Sequence, residues 1–132
     1  MENCIFCKII NKEIPGKVVY EDDICLAFLD LSQATYGHTL VIPKKHYDNI
    51  LTVDDETLAH LFKIVKKLSK QIMEKLGADG LNVLTNTNEV AGQTVHHFHI
   101  HILPRYNKNE LKINFIDHSQ DVDLDELLNK IK

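Results

Sequence analysis

Residues 97–103 read His-Phe-His-Ile-His-Ile-Leu, alternating polar and apolar without a break. In a strand, successive side chains point to opposite faces. A strand here puts His97, His99 and His101 on one face and Phe98, Ile100 and Ile102 in the core on the other. Same-face neighbours stand about 6.5–7 Å apart, close enough for three imidazoles to share one small anionic group. Alternation accounts for polarity on that face, but not for the repeated choice of histidine. Two chemistries suit the row. In one, two imidazoles chelate a catalytic Zn²⁺. In the other, one imidazole attacks as a nucleophile while its neighbours orient it and handle protons. Histidine joins a nucleophilic nitrogen to a pKa of about 6.5. A catalytic zinc wants a third protein ligand and a carboxylate base, and no His-Glu-x-x-His pattern supplies them. That favours the nucleophile modestly. Cys4-x-x-Cys7 has the spacing of half a zinc site, with no second cysteine pair to complete it. Cys25 lies in an apolar run and reads as a small buried hydrophobe.

These groups need a scaffold. The chain has 132 residues, 44% hydrophobic and 26% charged, the size and composition of one globular domain over 1–132. Disordered, collagenous and fibrous classes are excluded. No apolar run approaches the roughly 20 residues of a membrane span. The start, MENCIFCKII, is unlike a secretory signal and reads as cytoplasmic. A net charge of −4 argues against polymeric nucleic acid as a partner. Three cysteines in such a chain favour metal or thiol chemistry over disulfides.

Periodicity predicts a short helix over 4–12, ended by Pro15 and Gly16, and strands over 18–20 and 25–30. A third strand over 37–43 is stopped by Pro43. Leu58, Leu61, Phe62, Val65, Leu68, Ile72 and Leu76 form the apolar stripe of a helix over about 53–76. Lys63, Lys66, Lys67, Lys70 and Lys75 lie mostly off it, as a solvated face. Thr52 with Asp55 resembles a capping box, and Gly77 suits the C-terminal cap. Strands follow over 80–87 and 97–103, the last ended by Pro104, with a polar loop over 86–92. Residues 124–131 have a weak helical pattern. The order predicts an α+β fold: a mainly antiparallel five-stranded sheet, one long helix and short terminal helices.

The row His97–Leu103 resembles the His-φ-His-φ-His-φ-φ signature of the histidine triad family, φ being apolar. The similarity extends to Cys4-Ile5-Phe6-Cys7-Lys8-Ile9-Ile10, Ile14-Pro15, Tyr20-Glu21-Asp22, Ala27-Phe28-Leu29-Asp30 and Ala91-Gly92-Gln93-Thr94-Val95. It also takes in Gly37-His38-Thr39-Leu40-Val41-Ile42-Pro43-Lys44-Lys45-His46. The pattern is that of the Hint-like branch, in its small bacterial-type form with an N-terminal Cys-x-x-Cys. It is specific over 4–106 and weak over the tail 107–132. His96 and Leu29 depart from residues common at those positions.

The resemblance implies a nucleotide hydrolase or transferase acting at the α-phosphorus of purine nucleoside phosphoramidates or related nucleotidyl conjugates. By it, His99 is the nucleophile, the His97 carbonyl fixes its tautomer, His101 serves the leaving group, and His38 supports the row. Asn86, Gln93 and Thr94 contact phosphate, and Asp30 accepts from ribose. Phe6, Ile9, Phe28, Leu29 and Leu31 wall the base pocket. Cys4, Cys7, His46 and His97 hold a structural zinc, and no organic cofactor is implied. The expected partners are a purine nucleoside monophosphate or conjugate, and a second copy joined through the long helix and an adjoining strand. Rival readings are a dinucleoside polyphosphate hydrolase using the same His99, a nucleotide-binding regulatory module, and a metallohydrolase.

Overall fold

The structure, a computed structural model, describes residues 3–132. Its elements are α1 (Ile5–Ile10), β1 (Val18–Glu21), β2 (Cys25–Leu29), β3 (Thr39–Pro43), α2 (Asp55–Leu76), β4 (Gly80–Leu84), β5 (Ile100–Arg105) and α3 (Leu124–Ile131). The strands form one antiparallel sheet in the order β1-β2-β3-β5-β4. The expected α+β architecture is therefore present.

Alternation along β3 and β5 divides the core between the two faces of the sheet. Val41, Ile100 and Ile102, with Phe98, pack against Leu61, Ile64, Val65, Leu68 and Ile72 of α2. Leu26, Phe28, Leu40 and Ile42 pack on the other face with Phe6 of α1. Leu61 sits at the centre of the helix stripe with 0% of its surface exposed. Leu61→Ala is expected to cost about 2–5 kcal/mol of unfolding free energy, measured by urea denaturation. A loss under about 1 kcal/mol contradicts this packing.

Four local expectations are corrected. The histidine strand was expected over 97–103, but β5 begins at Ile100, and His97 lies in a bend before it. There the Phe98 amide donates to the Tyr47 carbonyl (2.6 Å), and β3 first pairs with β5 at Val41 and Ile100. Pro104 does not end the strand. It lies within β5 beyond Ile102, the last residue of β5 paired with β3, where a missing N–H is tolerated. The α2 cap is Asp54, whose carboxylate accepts from the Thr57 amide (2.9 Å). Thr52 instead closes a turn with Asn49. Gly77 takes the left-handed conformation at the C-terminal cap, with φ 70°. β4 stops at Leu84, short of the expected 87.

Candidate active site

Site geometry follows from a chain of hydrogen bonds, because a carbonyl oxygen or an amide N–H leaves no choice of role. His99 Nδ1 lies 2.7 Å from the His97 carbonyl oxygen. It must donate, so the proton sits on Nδ1 and the lone pair is on Nε2. The carbonyl of His99 accepts from the Thr85 hydroxyl (2.7 Å), which fixes the backbone below it. His38 Nδ1 accepts from the Ala34 amide (3.2 Å), so its proton is on Nε2. That N–H donates to His101 Nδ1 at 2.9 Å, which places the His101 proton on Nε2. His101 Nε2 is buried and has no partner. A donor without an acceptor thus lies beside a ring whose free lone pair is on Nε2. The His99 and His101 ring centres are 4.9 Å apart. Burial lowers the pKa of His99 and holds that of His101 down at about 4, so both are neutral near pH 7.

A cavity of about 300 Å³ opens over His99 and His101. Phe6, Ile9, Phe28, Leu29 and Leu31 line it, together with Asp30 and Thr94. Phe6 stands edge-on to the His99 ring, 5.1 Å between centres. One Asp30 oxygen accepts from the Ser32 amide (2.8 Å), and the other lies 3.6 Å from His38 Nε2. A larger hollow of about 630 Å³ adjoins it and shares Ile5, Thr94 and Val95, but holds neither His99 nor Asp30.

The structure does not bring every expected residue to that cavity. Gln93 is buried, and its side chain is fully engaged inside the protein. Its N–H groups donate to the carbonyls of Asp48 (2.7 Å) and Val95 (3.2 Å), and its oxygen accepts from the Asn88 amide (2.8 Å). It is placed to shape the loop rather than to donate to a phosphate. Asn86 stands outside the cavity lining, with one long bond to the Gly92 carbonyl (3.5 Å). His38 lies behind His101. Gln33 escaped the sequence reading. Its amide donates to the carbonyls of Asp30 and His38, and its oxygen accepts from the amides of Gly37 and His38, so it ties both ends of the 30–38 loop. A glutamine in a polar loop carries no pattern that would reveal this.

Cys4, Cys7, His46 and His97 converge on one point, with their ligand atoms all within 4.8 Å of one another. His97 Nε2 donates to the Pro43 carbonyl (2.8 Å), and His46 Nε2 to the Asp48 carboxylate (3.2 Å). Both Nδ1 lone pairs therefore point inward, 3.1 Å apart. The Cys4 and Cys7 sulfurs lie 3.4 and 3.5 Å from His97 Nδ1, and Cys7 lies 3.4 Å from His46 Nδ1. Two facing lone pairs repel unless a cation lies between them. Ligand atoms of a tetrahedral zinc stand about 3.3–3.8 Å apart, close to these spacings. The outer N–H groups meet a carbonyl and a carboxylate, as metal-binding imidazoles require. The residues fit a metal. Asp22, Cys25 and His60 form another grouping, but the Asp22 carboxylate already accepts from Tyr20, His60 and two backbone amides. It ties the β1–β2 hairpin to α2.

Fold and site together define an antiparallel α+β scaffold carrying His99 and His101 at the mouth of an apolar-walled cavity, with His97 turned into the neighbouring cysteine–histidine cluster. The chain belongs to the histidine triad family, because the HIT domain model matches residues 11–108. It is 51% identical over 129 residues to an uncharacterised HIT-like protein of Methanocaldococcus jannaschii, covering 98% of each chain. It is 42% identical over 106 residues to an adenosine 5′-monophosphoramidase of Schizosaccharomyces pombe, covering 80% of this chain and 77% of that one. To an adenylylsulfatase of Arabidopsis thaliana it is 40% identical over 107 residues, covering 81% of this chain and 54% of that one. Among solved structures, a HIT family protein of Bacillus anthracis superposes with a TM-score of 0.92 at 44% identity, covering 98% and 93% of the two chains. A zinc-bound histidine triad protein of Mycobacterium smegmatis superposes at 0.80 with 35% identity, covering 91% and 87%.

Proposed function

We propose that the protein hydrolyses purine nucleoside phosphoramidates, or related nucleotidyl conjugates, at the α-phosphorus through a nucleotidyl–His99 intermediate. One observation carries the reading: a locked Nδ1–H leaves the His99 Nε2 lone pair free beside the unpartnered Nε2–H of His101. The lone pair attacks phosphorus, and the bond to the leaving atom breaks. His101 Nε2–H is placed to hydrogen-bond that leaving atom, which departs with a proton taken from solvent. Water then cleaves the phosphorus–nitrogen bond, releasing the nucleoside monophosphate and restoring His99. Dividing one displacement into two lowers each barrier. The relatives named as a monophosphoramidase and an adenylylsulfatase support adenylyl chemistry. Initial rates on an adenosine phosphoramidate, an adenylylated lysine and a diadenosine polyphosphate at equal concentration test it. Highest kcat/KM on the polyphosphate would transfer the assignment to a dinucleoside polyphosphate hydrolase; turnover of none would leave a binding module.

The ribose anchor is Asp30, which directly follows β2 at the mouth of the apolar cavity. A carboxylate accepts from both ribose hydroxyls, each bond to a charged group being worth about 1.5–3 kcal/mol. Asp30→Ala is expected to weaken AMP binding about 10- to 150-fold and to narrow the preference for ribose over deoxyribose. Dissociation constants for both sugars, on a His99→Ala background, check this. Equal AMP affinity in the variant and its parent removes Asp30 from the site.

Cys4, Cys7, His46 and His97 hold a structural zinc in this reading. When bound, the ion cross-links α1 to the segment after β3 and the bend before β5. Free thiols suit a reducing, cytoplasmic setting. The chain pairs with a second copy through α2 and β4, the edge strand beside it. The whole of 1–132 acts as one domain.

A further inference from the structure

The two reactive rings are held to the sheet in different ways. His101 lies within β5, and backbone registers meet it from both sides, opposite Leu40 of β3 and Leu84 of β4. His99 lies one residue before β5 begins at Ile100. The β3 register stops at Ile100, and the β4 register stops at His101 because β4 itself ends at Leu84. The nucleophile therefore stands on main chain that the ladder no longer fixes. On its N-terminal side, the Phe98 amide and the His97 ring donate to the carbonyls of Tyr47 and Pro43 and anchor the bend. Its C-terminal side needs an anchor of another kind.

Thr85 supplies it. It is the first residue after β4, half-buried, and its hydroxyl donates to the His99 carbonyl at 2.7 Å. A side chain thus takes over at the point where the backbone ladder ends. The consequence reaches the ring. His99 is tethered twice, by Nδ1–H on the His97 carbonyl and by its own carbonyl on Thr85, each at 2.7 Å. Two tethers at opposite ends of one residue fix where the Nε2 lone pair points. With the ring tether alone, the peptide after His99 is free to rotate. The placement of the ring against His101, 4.9 Å between centres, is then no longer set. His99 is 5% exposed, so water is poorly placed to replace the hydroxyl. Thr85 does not line the cavity, and the walls that grip the nucleoside are built elsewhere: Phe6 belongs to α1, Phe28 to β2, and Asp30 directly follows β2.

We infer that Thr85 is a positioning residue for the reaction: its hydroxyl aims the His99 nucleophile by holding the His99 carbonyl, and it touches no part of the substrate. This rests on the nucleotidyl–His99 chemistry proposed above and adds the residue that directs it. Attack on phosphorus demands a near-attack geometry, and a displacement of about 1 Å costs about 100-fold in rate. Gripping a nucleoside between apolar walls and a carboxylate makes no such demand on His99. Loss of the hydroxyl should therefore reach the chemical step and leave binding alone. A role confined to fold stability would instead move melting, rate and affinity together.

The test compares Thr85→Val, which keeps the branched shape and removes the hydroxyl, with Thr85→Ser, which keeps the hydroxyl and drops the methyl. Thr85→Ala replaces the valine variant should that chain not fold. Single-turnover rates on an adenosine phosphoramidate and AMP dissociation constants are measured well below each variant's melting temperature. Thr85→Val is expected to lower the rate about 10- to 100-fold with AMP affinity within about twofold, and Thr85→Ser to keep both within about threefold of the wild type. A Thr85→Val rate within about threefold of the wild type overturns the proposal, since the hydroxyl then aims nothing. Equal losses in the valine and serine variants overturn it too, because they report shape and not the bond. So does a parallel loss of AMP affinity, which marks a distorted site. A wild type inert toward every adenylyl compound is a failure of the proposed reaction instead, and nitrogen NMR of the His99 ring then decides on Thr85. The Nδ1–H form alone is expected in the wild type and Thr85→Ser, and both tautomers in Thr85→Val; identical spectra in all three overturn the positioning role.

Discussion

His99→Ala is expected to lower kcat on an adenosine phosphoramidate by at least about a thousandfold, the scale of losing a nucleophile. AMP affinity should change by less than about fivefold, because the apolar walls and Asp30 remain, and about 1 kcal/mol corresponds to that factor. The physical reason is specific to this ring. Nδ1 is tied to the His97 carbonyl at 2.7 Å, so the attacking lone pair is always on Nε2 and always faces the cavity. Burial also holds the ring neutral, and a protonated imidazole has no lone pair to offer. His101, its neighbour, has the opposite tautomer and offers an N–H. Single-turnover kinetics and calorimetry separate the two effects. A variant that keeps kcat within about tenfold would falsify the covalent route, since one decade of rate is only 1.4 kcal/mol.

The second large effect concerns the metal cluster. Protein purified without added metal is expected to carry about one zinc per chain. Stripping the ion should lower Tm by roughly 10 °C or more. Two inward lone pairs 3.1 Å apart and two thiols would be left without their partner. Even at the low end of about 1–3 kcal/mol for each stranded polar group, the four together lose about 4 kcal/mol, or more than about 10 °C for a chain of this size. Cys4→Ser with Cys7→Ser should reproduce the change and abolish zinc binding. Below its melting temperature, the stripped enzyme should keep its chemical step, because His99 and His101 touch none of the four ligand atoms. Elemental analysis, calorimetric melting and initial rates check the three statements. Absence of zinc sinks the structural-metal proposal. A chelated protein that is folded but inert would instead assign the metal to catalysis.

Much of this was legible in the chain itself. Strict alternation over 97–103 sorted Phe98, Ile100 and Ile102 from the histidines, because a two-residue period admits only two faces. The 3.6-residue period from Leu61 to Ile72 marked α2 and its buried side for the same geometric reason. What escaped was set by contacts distant in sequence. β5 starts later than the alternation implies because the Phe98 amide goes to Tyr47 and His97 turns to Pro43. Pro104 reads as a terminator in the sequence because its tolerance in a strand depends on where β3 stops pairing. Gln93 and Gln33 gave no pattern, since an amide's role depends wholly on which backbone groups surround it.

The sequence by itself determined which residue types face which side of each element, and hence that His99 and His101 share a face, where their rings stand 4.9 Å apart. Those are local properties of the backbone period. Only the tertiary structure decided which nitrogen of each ring carries a proton. That choice is made one bond at a time by the Ala34 amide and by the His97 and Pro43 carbonyls, groups that no side-chain pattern encodes.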